Sequence, residues 1–80
     1  MTNVTVQYFA VLREQAGRSE ERVATTAASP AALYAELQAR HGLSAPRTQL
    51  RVAIDGEFAD WDAPLAEGAR VVFIPPVAGG

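Results

Sequence analysis

Apolar and polar residues alternate at the start of the chain. Val4, Val6 and Tyr8 alternate with Thr5 and Gln7, which is the period-two pattern of a strand that buries one face. The alternation stops after position 9. The pattern therefore predicts a first strand with one face toward a core.

The next segment indicates a turn and a return strand. Residues 12–16 could form a single helical turn, which Gly17 would end. The polar stretch 17–20 suits an antiparallel connection. Residues 21–26 are weakly apolar, so we expect a second strand at an edge of the sheet.

One clear helix is predicted after these strands. Ser29 is a favoured N-cap, Pro30 is tolerated at the first helical position, and Gly42 supplies a C-terminal stop. Leu33 and Leu37 lie four residues apart and so share one face. That face is expected to pack on the sheet.

The remainder of the chain predicts three more strands, at residues 50–54, 57–59 and 70–74. Asp55-Gly56 is a strong signal for a two-residue hairpin turn between the first two of them. A loop anchored by Leu65 then leads to the last strand, which is apolar on both faces, as expected of a central strand.

This order of elements predicts an α+β protein with the β-grasp (ubiquitin-like) fold. In that arrangement the first and last strands lie side by side and parallel, within a mixed sheet that has one main helix on one face. We expect a β-grasp domain over residues 1–74 and an extended tail over residues 75–80.

Composition narrows the possible functions. Eighty residues fit a single domain, and the absence of cysteine excludes a disulfide framework and thiolate chemistry. A net charge of −2 without a basic cluster argues against a nucleic-acid partner. No apolar run approaches the roughly 20 residues of a membrane span, and no signal peptide is evident. We therefore expect no membrane partner and a cytoplasmic location.

Side chains that could perform chemistry are few and scattered. His41 is the only histidine, and at the end of the helix it is expected to interact with the helix dipole. Asp60 and Asp62 bracket Trp61 in what we interpret as a solvated loop. No group of residues has metal-ligand spacing, so we expect no bound metal.

The tail is the most informative segment: it reads Pro75-Pro76-Val77-Ala78-Gly79-Gly80. The prolines cannot extend the sheet and favour a stiff, extended segment. Six extended residues reach about 20 Å, enough to enter another protein's active site, and glycine lets a narrow channel close around the backbone. A frayed terminus is the alternative.

Three motifs resemble the small subunit of molybdopterin synthase. They are the tail with Phe73-Ile74 before it, the opening Val4-x-Val6-x-Tyr8-Phe9-Ala10-x-Leu12-Arg13-Glu14, and the segment Asp62-x-Pro64-Leu65-x-x-Gly68. The likeness spans nearly the whole chain. Ala69-Arg70 departs from it, since members of that family often carry acidic residues there.

The resemblance implies a sulfur carrier. A ubiquitin-activating-type enzyme would adenylate Gly80 with ATP, and a sulfur donor would convert the adenylate to a thiocarboxylate. The large subunit of molybdopterin synthase, expected as a heterotetramer of two small and two large subunits, would then use this sulfur to build the dithiolene of molybdopterin from cyclic pyranopterin monophosphate. ATP would be used by the activating partner, so this chain would bind no cofactor and act as a co-substrate rather than a catalyst.

The resemblance also implies partner contacts by Phe9, Phe58 and Ile74, together with Pro75, Pro76, Val77, Ala78 and Gly79 of the tail. A single helix covers only one face of a sheet, and Phe9 has the outward parity of Thr5 and Gln7. Exposed apolar patches usually mark interaction sites. The alternative is that these side chains belong to the core, reached by local twisting or a bulge.

Two other functions share this fold and a diglycine end. One is sulfur carriage for another pathway, such as thiamine or cysteine synthesis or tRNA thiolation. The other is a protein modifier attached to target amines. The Phe-Ile-Pro-Pro run favours molybdopterin synthesis, and the absence of lysine disfavours self-linked chains of a modifier.

Overall fold

A five-stranded mixed sheet forms the centre of the molecule. The computed structural model describes residues 1–75. The strands are β1 (Thr2–Tyr8), β2 (Glu20–Thr25), β3 (Arg51–Ile54), β4 (Glu57–Ala59) and β5 (Arg70–Ile74), in the order β2-β1-β5-β3-β4. Strands β1 and β5 pair in parallel, and the other neighbours are antiparallel. The predicted edge position of β2 and central position of β5 are confirmed.

The main helix, α2 (Pro30–His41), has the ends that the sequence predicts. The Ser29 hydroxyl accepts a hydrogen bond from the Ala32 N–H at 3.3 Å, which satisfies one of the free donors of the first turn. Gly42 ends the helix in the left-handed conformation, with φ at 70°. Leu33 and Leu37 are fully buried against the sheet.

Two short helices differ from the sequence prediction. The single turn predicted over residues 12–16 is a seven-residue helix, α1 (Ala10–Ala16), and Gly17 ends it as expected. It starts earlier because Ala10, with φ at 51°, turns the chain immediately after an extended Phe9. A 3-10 helix over Arg47–Gln49 was not predicted; it follows Pro46, which is extended.

Strand boundaries also shift slightly. β2 begins at Glu20, because that residue still pairs with Gln7 of β1. It ends at Thr25, whose hydroxyl accepts a hydrogen bond from the Ala27 N–H and turns the chain toward the helix. The hairpin turn between β3 and β4 lies at Asp55 and Gly56 as predicted, with φ angles of 52° and 87°.

The core lies between α2 and one face of the sheet. Val6, Val71 and Phe73 point to this face and are fully buried, with Leu12 of α1 closing one end. Burial of each such side chain contributes about 1.5–3 kcal/mol. The opposite face is not covered by any element of residues 1–75. In the same part of the chain, no helix has the length and apolar character needed to cross a bilayer.

Candidate functional site

An apolar groove lies on the uncovered face of the sheet. It has a volume of about 270 Å³ and is lined by Gln7, Phe9, Ala53, Gly56, Phe58, Val72 and Ile74. Phe9 and Phe58 are 40% and 63% exposed. All three aromatic or aliphatic side chains that the sequence singles out, Phe9, Phe58 and Ile74, therefore meet at one groove, which we call the open-face groove.

Strand register brings these side chains together. Phe58 of β4 pairs with Ala53 of β3, and Ala53 pairs with Val72 of β5. Residues opposite each other in a sheet point to the same face, so Phe58 and Val72 both face away from α2. Ile74, two residues after Val72, points the same way.

Phe9 reaches the groove although it lies outside β1. Its backbone remains extended (φ −128°, ψ 155°), so the alternation of the strand continues for one more residue. Its side chain consequently points to the same side as Gln7. The alternative placement of Phe9 in the core is wrong, because the side chain is exposed on the open face.

The tail begins at one end of this groove. β5 ends at Ile74, and Pro75 is half-buried. The remaining predicted site residues, Pro76, Val77, Ala78, Gly79 and Gly80, lie outside the described residues. Their roles, and the boundary between domain and tail after residue 74, stay predictions.

Two arginines near the end of β5 lie over aromatic rings. The Arg51 guanidinium carbon is 4.2 Å from the centroid of the Phe58 ring, and that of Arg47 is 5.7 Å from the Trp61 ring. Neither contact was predicted from the sequence. Once the β3–β4 hairpin is predicted, the diagonal position of Arg51 relative to Phe58 is a signal that could have been used.

A polar cluster occupies the covered side of the sheet at the end of α2. Glu21 Oε1 accepts a hydrogen bond from the Tyr8 hydroxyl at 2.8 Å, and His41 Nε2 lies 2.8 Å from the same oxygen. Arg40 lies 3.5 Å from the other carboxylate oxygen. His41 thus has a carboxylate partner in addition to the helix end at which the sequence analysis placed it.

The pKa values of this cluster follow from burial and hydrogen bonding. Burial alone would raise the pKa of Glu21, but hydrogen bonds from His41 and Tyr8 and the charges of His41 and Arg18 hold it below its usual value. Burial raises the pKa of Tyr8, and the hydrogen bond to Glu21 raises it further. The neutral phenol and the ionised carboxylate form a structural arrangement on the face of the sheet opposite to the open-face groove.

The other candidate residues from the sequence do not form a reactive site. Asp60 and Asp62 are exposed in the loop that carries Trp61, and residues 1–75 contain no group of side chains that could hold a metal. Arg70, the departure from the small-subunit pattern, forms an exposed ion pair with Glu20 at 2.9 Å.

Comparison with known proteins shows the family to which this chain belongs. The family model described as the ThiS family matches residues 6–80. The molybdopterin synthase sulfur carrier subunit of Escherichia coli is 32% identical over 80 residues, an alignment that covers 96% of this chain and 99% of that protein. The chain therefore belongs to the ThiS family, and its predicted resemblance to the small subunit of molybdopterin synthase is confirmed.

Solved structures agree on the fold. A putative molybdopterin converting factor subunit 1 from Pyrococcus furiosus has 29% identity and a TM-score of 0.79, covering 96% of this chain and 100% of that one. A chain in a complex of subunits 1 and 2 of molybdopterin-converting factor from Helicobacter pylori has 25% identity and a TM-score of 0.70, and the match covers 99% of this chain and 100% of that one. A ubiquitin from Caldiarchaeum subterraneum, at 18% identity, supports the fold alone, with a TM-score of 0.63 and coverage of 99% and 98%. The predicted ubiquitin-like β-grasp fold is confirmed.

Proposed function

We propose that this chain is the sulfur carrier subunit of a molybdopterin synthase. The observation that carries the proposal is the likeness to the Escherichia coli sulfur carrier subunit over nearly the full length of both chains, and the family model extends through the tail to residue 80. The open-face groove at the start of the tail supports it, because a carrier must dock on a partner while its tail enters that partner.

The chemistry is assigned to the carboxylate of Gly80. It attacks the α-phosphate of ATP on a ubiquitin-activating-type enzyme, and pyrophosphate leaves. A sulfur donor then displaces AMP, forming a carbon–sulfur bond and a thiocarboxylate. The large subunit transfers one sulfur from each of two thiocarboxylated copies of the chain to cyclic pyranopterin monophosphate, so that the two sulfurs build the dithiolene, and water restores each carboxylate. ATP and pterin bind to these partners, so this chain serves as a co-substrate.

The open-face groove is the proposed docking surface for the large subunit. Phe9, Phe58 and Ile74 supply its apolar contacts, and a heterotetramer of two small and two large subunits is the expected assembly. The Helicobacter pylori relative was solved as a complex of subunits 1 and 2, which supports a partner of this kind. Residues 75–79 would occupy the channel of the large subunit through which Gly80 reaches the pterin.

The test is the mass of the intact chain. Incubation with the activating enzyme, ATP and a sulfur donor should replace one terminal oxygen by sulfur, and the Gly80-deleted chain should show no such change. An unchanged mass with an enzyme pair that thiolates the Escherichia coli subunit would refute the proposal. Isopeptide-linked targets recovered from cells would instead favour the protein-modifier alternative.

A further inference from the structure

Two arginines flank the point at which the tail leaves the sheet. Arg51 pairs with Ile74, the last residue of β5, and lies on the open face. Arg47 lies over Trp61, whose ring stacks on Phe73 with centroids 5.9 Å apart and an interplanar angle of 7°. Phe73 points to the covered face, so one arginine lies on each side of the strand end. We call Arg47 and Arg51 the root arginines.

Aromatic rings hold the root arginines without satisfying their hydrogen-bonding capacity. A guanidinium over a ring face gains a cation–π attraction, but its five N–H donors remain available. Both side chains are exposed. Among residues 1–75 neither forms an ion pair, whereas Arg40 and Arg70 pair with glutamates. Because stacking on a ring already restricts the arginine side chain, less conformational entropy is lost when the arginine binds a partner.

We infer that the root arginines bind carboxylate side chains at the mouth of the channel in the large subunit that receives the tail. This inference rests on the proposed function, because it names the chemistry of that partner's surface. Any protein that encloses the tail must close around its start, which brings its surface against both arginines. Planar guanidinium groups match carboxylates bidentately. Arg51 is also continuous with the open-face groove through Phe58.

The test measures affinity for the large subunit from the same organism. Arg47→Glu and Arg51→Glu should each weaken binding at least about tenfold, because reversal places like charges together in the interface. Arg51→Met keeps apolar contact with Phe58 but lacks the charge. Its affinity for the large subunit should therefore lie between the affinities of Arg51→Glu and the wild type. The wild-type affinity should decrease as salt is added, and this dependence should be smaller for Arg51→Met.

Arg22→Glu is the matched control. Arg22 is exposed, and its replacement by glutamate changes the net charge by the same amount as either root variant. It pairs with Thr5 of β1, which pairs in turn with Arg70 at the opposite end of β5. Thermal melting should show that all variants remain folded. If the wild type binds tightly and either root variant binds like Arg22→Glu, the inference is wrong while the proposed function stands. If the wild type itself does not bind, the proposed function is refuted and the inference with it.

Discussion

Glu21 shows how a single charged residue can be structural in this fold. It shares the parity of Val23 and Thr25, so its side chain points under the main helix rather than to solvent. Its side chain is only 10% exposed. It accepts a hydrogen bond from the Tyr8 hydroxyl and also contacts the His41 ring. A buried carboxylate is tolerated only with such partners, which ties β1, β2 and the end of α2 together.

This arrangement predicts an acid-sensitive contribution to stability. The pKa of Glu21 in the folded protein lies below the usual 4.5. The stability contributed by its ionised carboxylate is therefore complete above pH 4.5 and is lost as the pH falls through the folded pKa. Glu21→Gln should lower the free energy of unfolding by about 1–3 kcal/mol at neutral pH. The difference from wild type should shrink in acid, as measured by urea unfolding between neutral pH and pH below about 4.

Glu57→Gln is the control for this measurement. Glu57 is exposed on β4, so its replacement should leave stability nearly unchanged at every pH. A Glu21→Gln variant that stays as stable as Glu57→Gln at neutral pH would show that the cluster around Glu21 contributes nothing to folding.

Phe9 gives the second prediction at the residue scale. Phe9→Asp should change the free energy of unfolding by less than about 1 kcal/mol, since the side chain is on the open face. It should weaken binding to the large subunit by more than about tenfold, because it removes an apolar contact and places a charge in the groove. Thermal melting and titration calorimetry on the same samples test both parts. Loss of folding in the isolated variant would contradict our placement of Phe9.

Residue-level predictions from the sequence succeeded where alternation sufficed. Phe9 is exposed because the strand parity continues through it, and Leu33 and Leu37 are buried because of their helical spacing. The contact between Glu21 and His41 joins residues twenty positions apart, on different elements. No local period encodes such a contact, so it was not predicted.

At the scale of elements, the hairpin between β3 and β4 positions Phe58. Its turn depends on two residues in the left-handed region, Asp55 and Gly56. The Asp55 carboxylate also accepts a hydrogen bond from the Arg70 N–H at 2.9 Å, which joins the turn to β5. The sequence signal for this turn was local and strong, which explains why it was predicted correctly.

Gly56→Ala tests the turn. The added methyl group would meet no atom within 4 Å, so the cost comes from the φ of +87° alone. We expect a loss of about 1–2 kcal/mol, measured as a lower melting temperature. Gly56→Asn is the control and should lose less, because asparagine tolerates this region better. Equal melting temperatures for Gly56→Ala and the wild type would mean that the turn relaxes without cost.

The early start of α1 and the 3-10 helix, neither of which was predicted from the sequence, have a different cause. The additional residues at the start of α1 depend on a positive φ at Ala10. Alanine rarely adopts this conformation, so the helix propensity of the segment does not predict it. The 3-10 helix over Arg47–Gln49 is three residues long, too short for any periodicity. Tertiary packing, with Trp61 beneath Arg47, accompanies this segment and is invisible in the local sequence.

At the scale of the whole molecule, folding and reactivity are assigned to different parts of the chain. The core that stabilises the domain ends at Phe73, one residue before the last position of β5. The fold was predictable because five strands, one helix and a diagnostic turn had consistent local signals. Of the residues that line the open-face groove, Phe9, Phe58 and Ile74 were singled out from the sequence, all three by resemblance and Phe9 also by strand parity. The root arginines were not, because their contacts depend on how β3, β4 and the 3-10 helix meet.

This separation predicts that the tail end can be altered without affecting the fold. Deleting Gly80, or adding one residue after it, should leave the melting temperature nearly unchanged, because the core lies before Pro75. Under the proposed function, either change would displace the reacting carboxylate by about 3.5 Å and so destroy the geometry needed for transfer. Gly79→Val should also hinder transfer, by placing a branched side chain where the channel closes around bare backbone.

The decisive comparison is sulfur transfer to the pterin precursor, measured beside affinity for the large subunit and thermal melting. All three variants should still bind through the open-face groove, so each should inhibit the wild-type chain when added in excess. Ala78→Gly is the control, since it alters the tail without moving Gly80 or adding bulk, and it should retain transfer. Normal transfer by the extended chain would show that the reacting group need not be terminal, whereas loss of binding by the Gly80 deletion would show that the tail, rather than the sheet face, supplies the affinity.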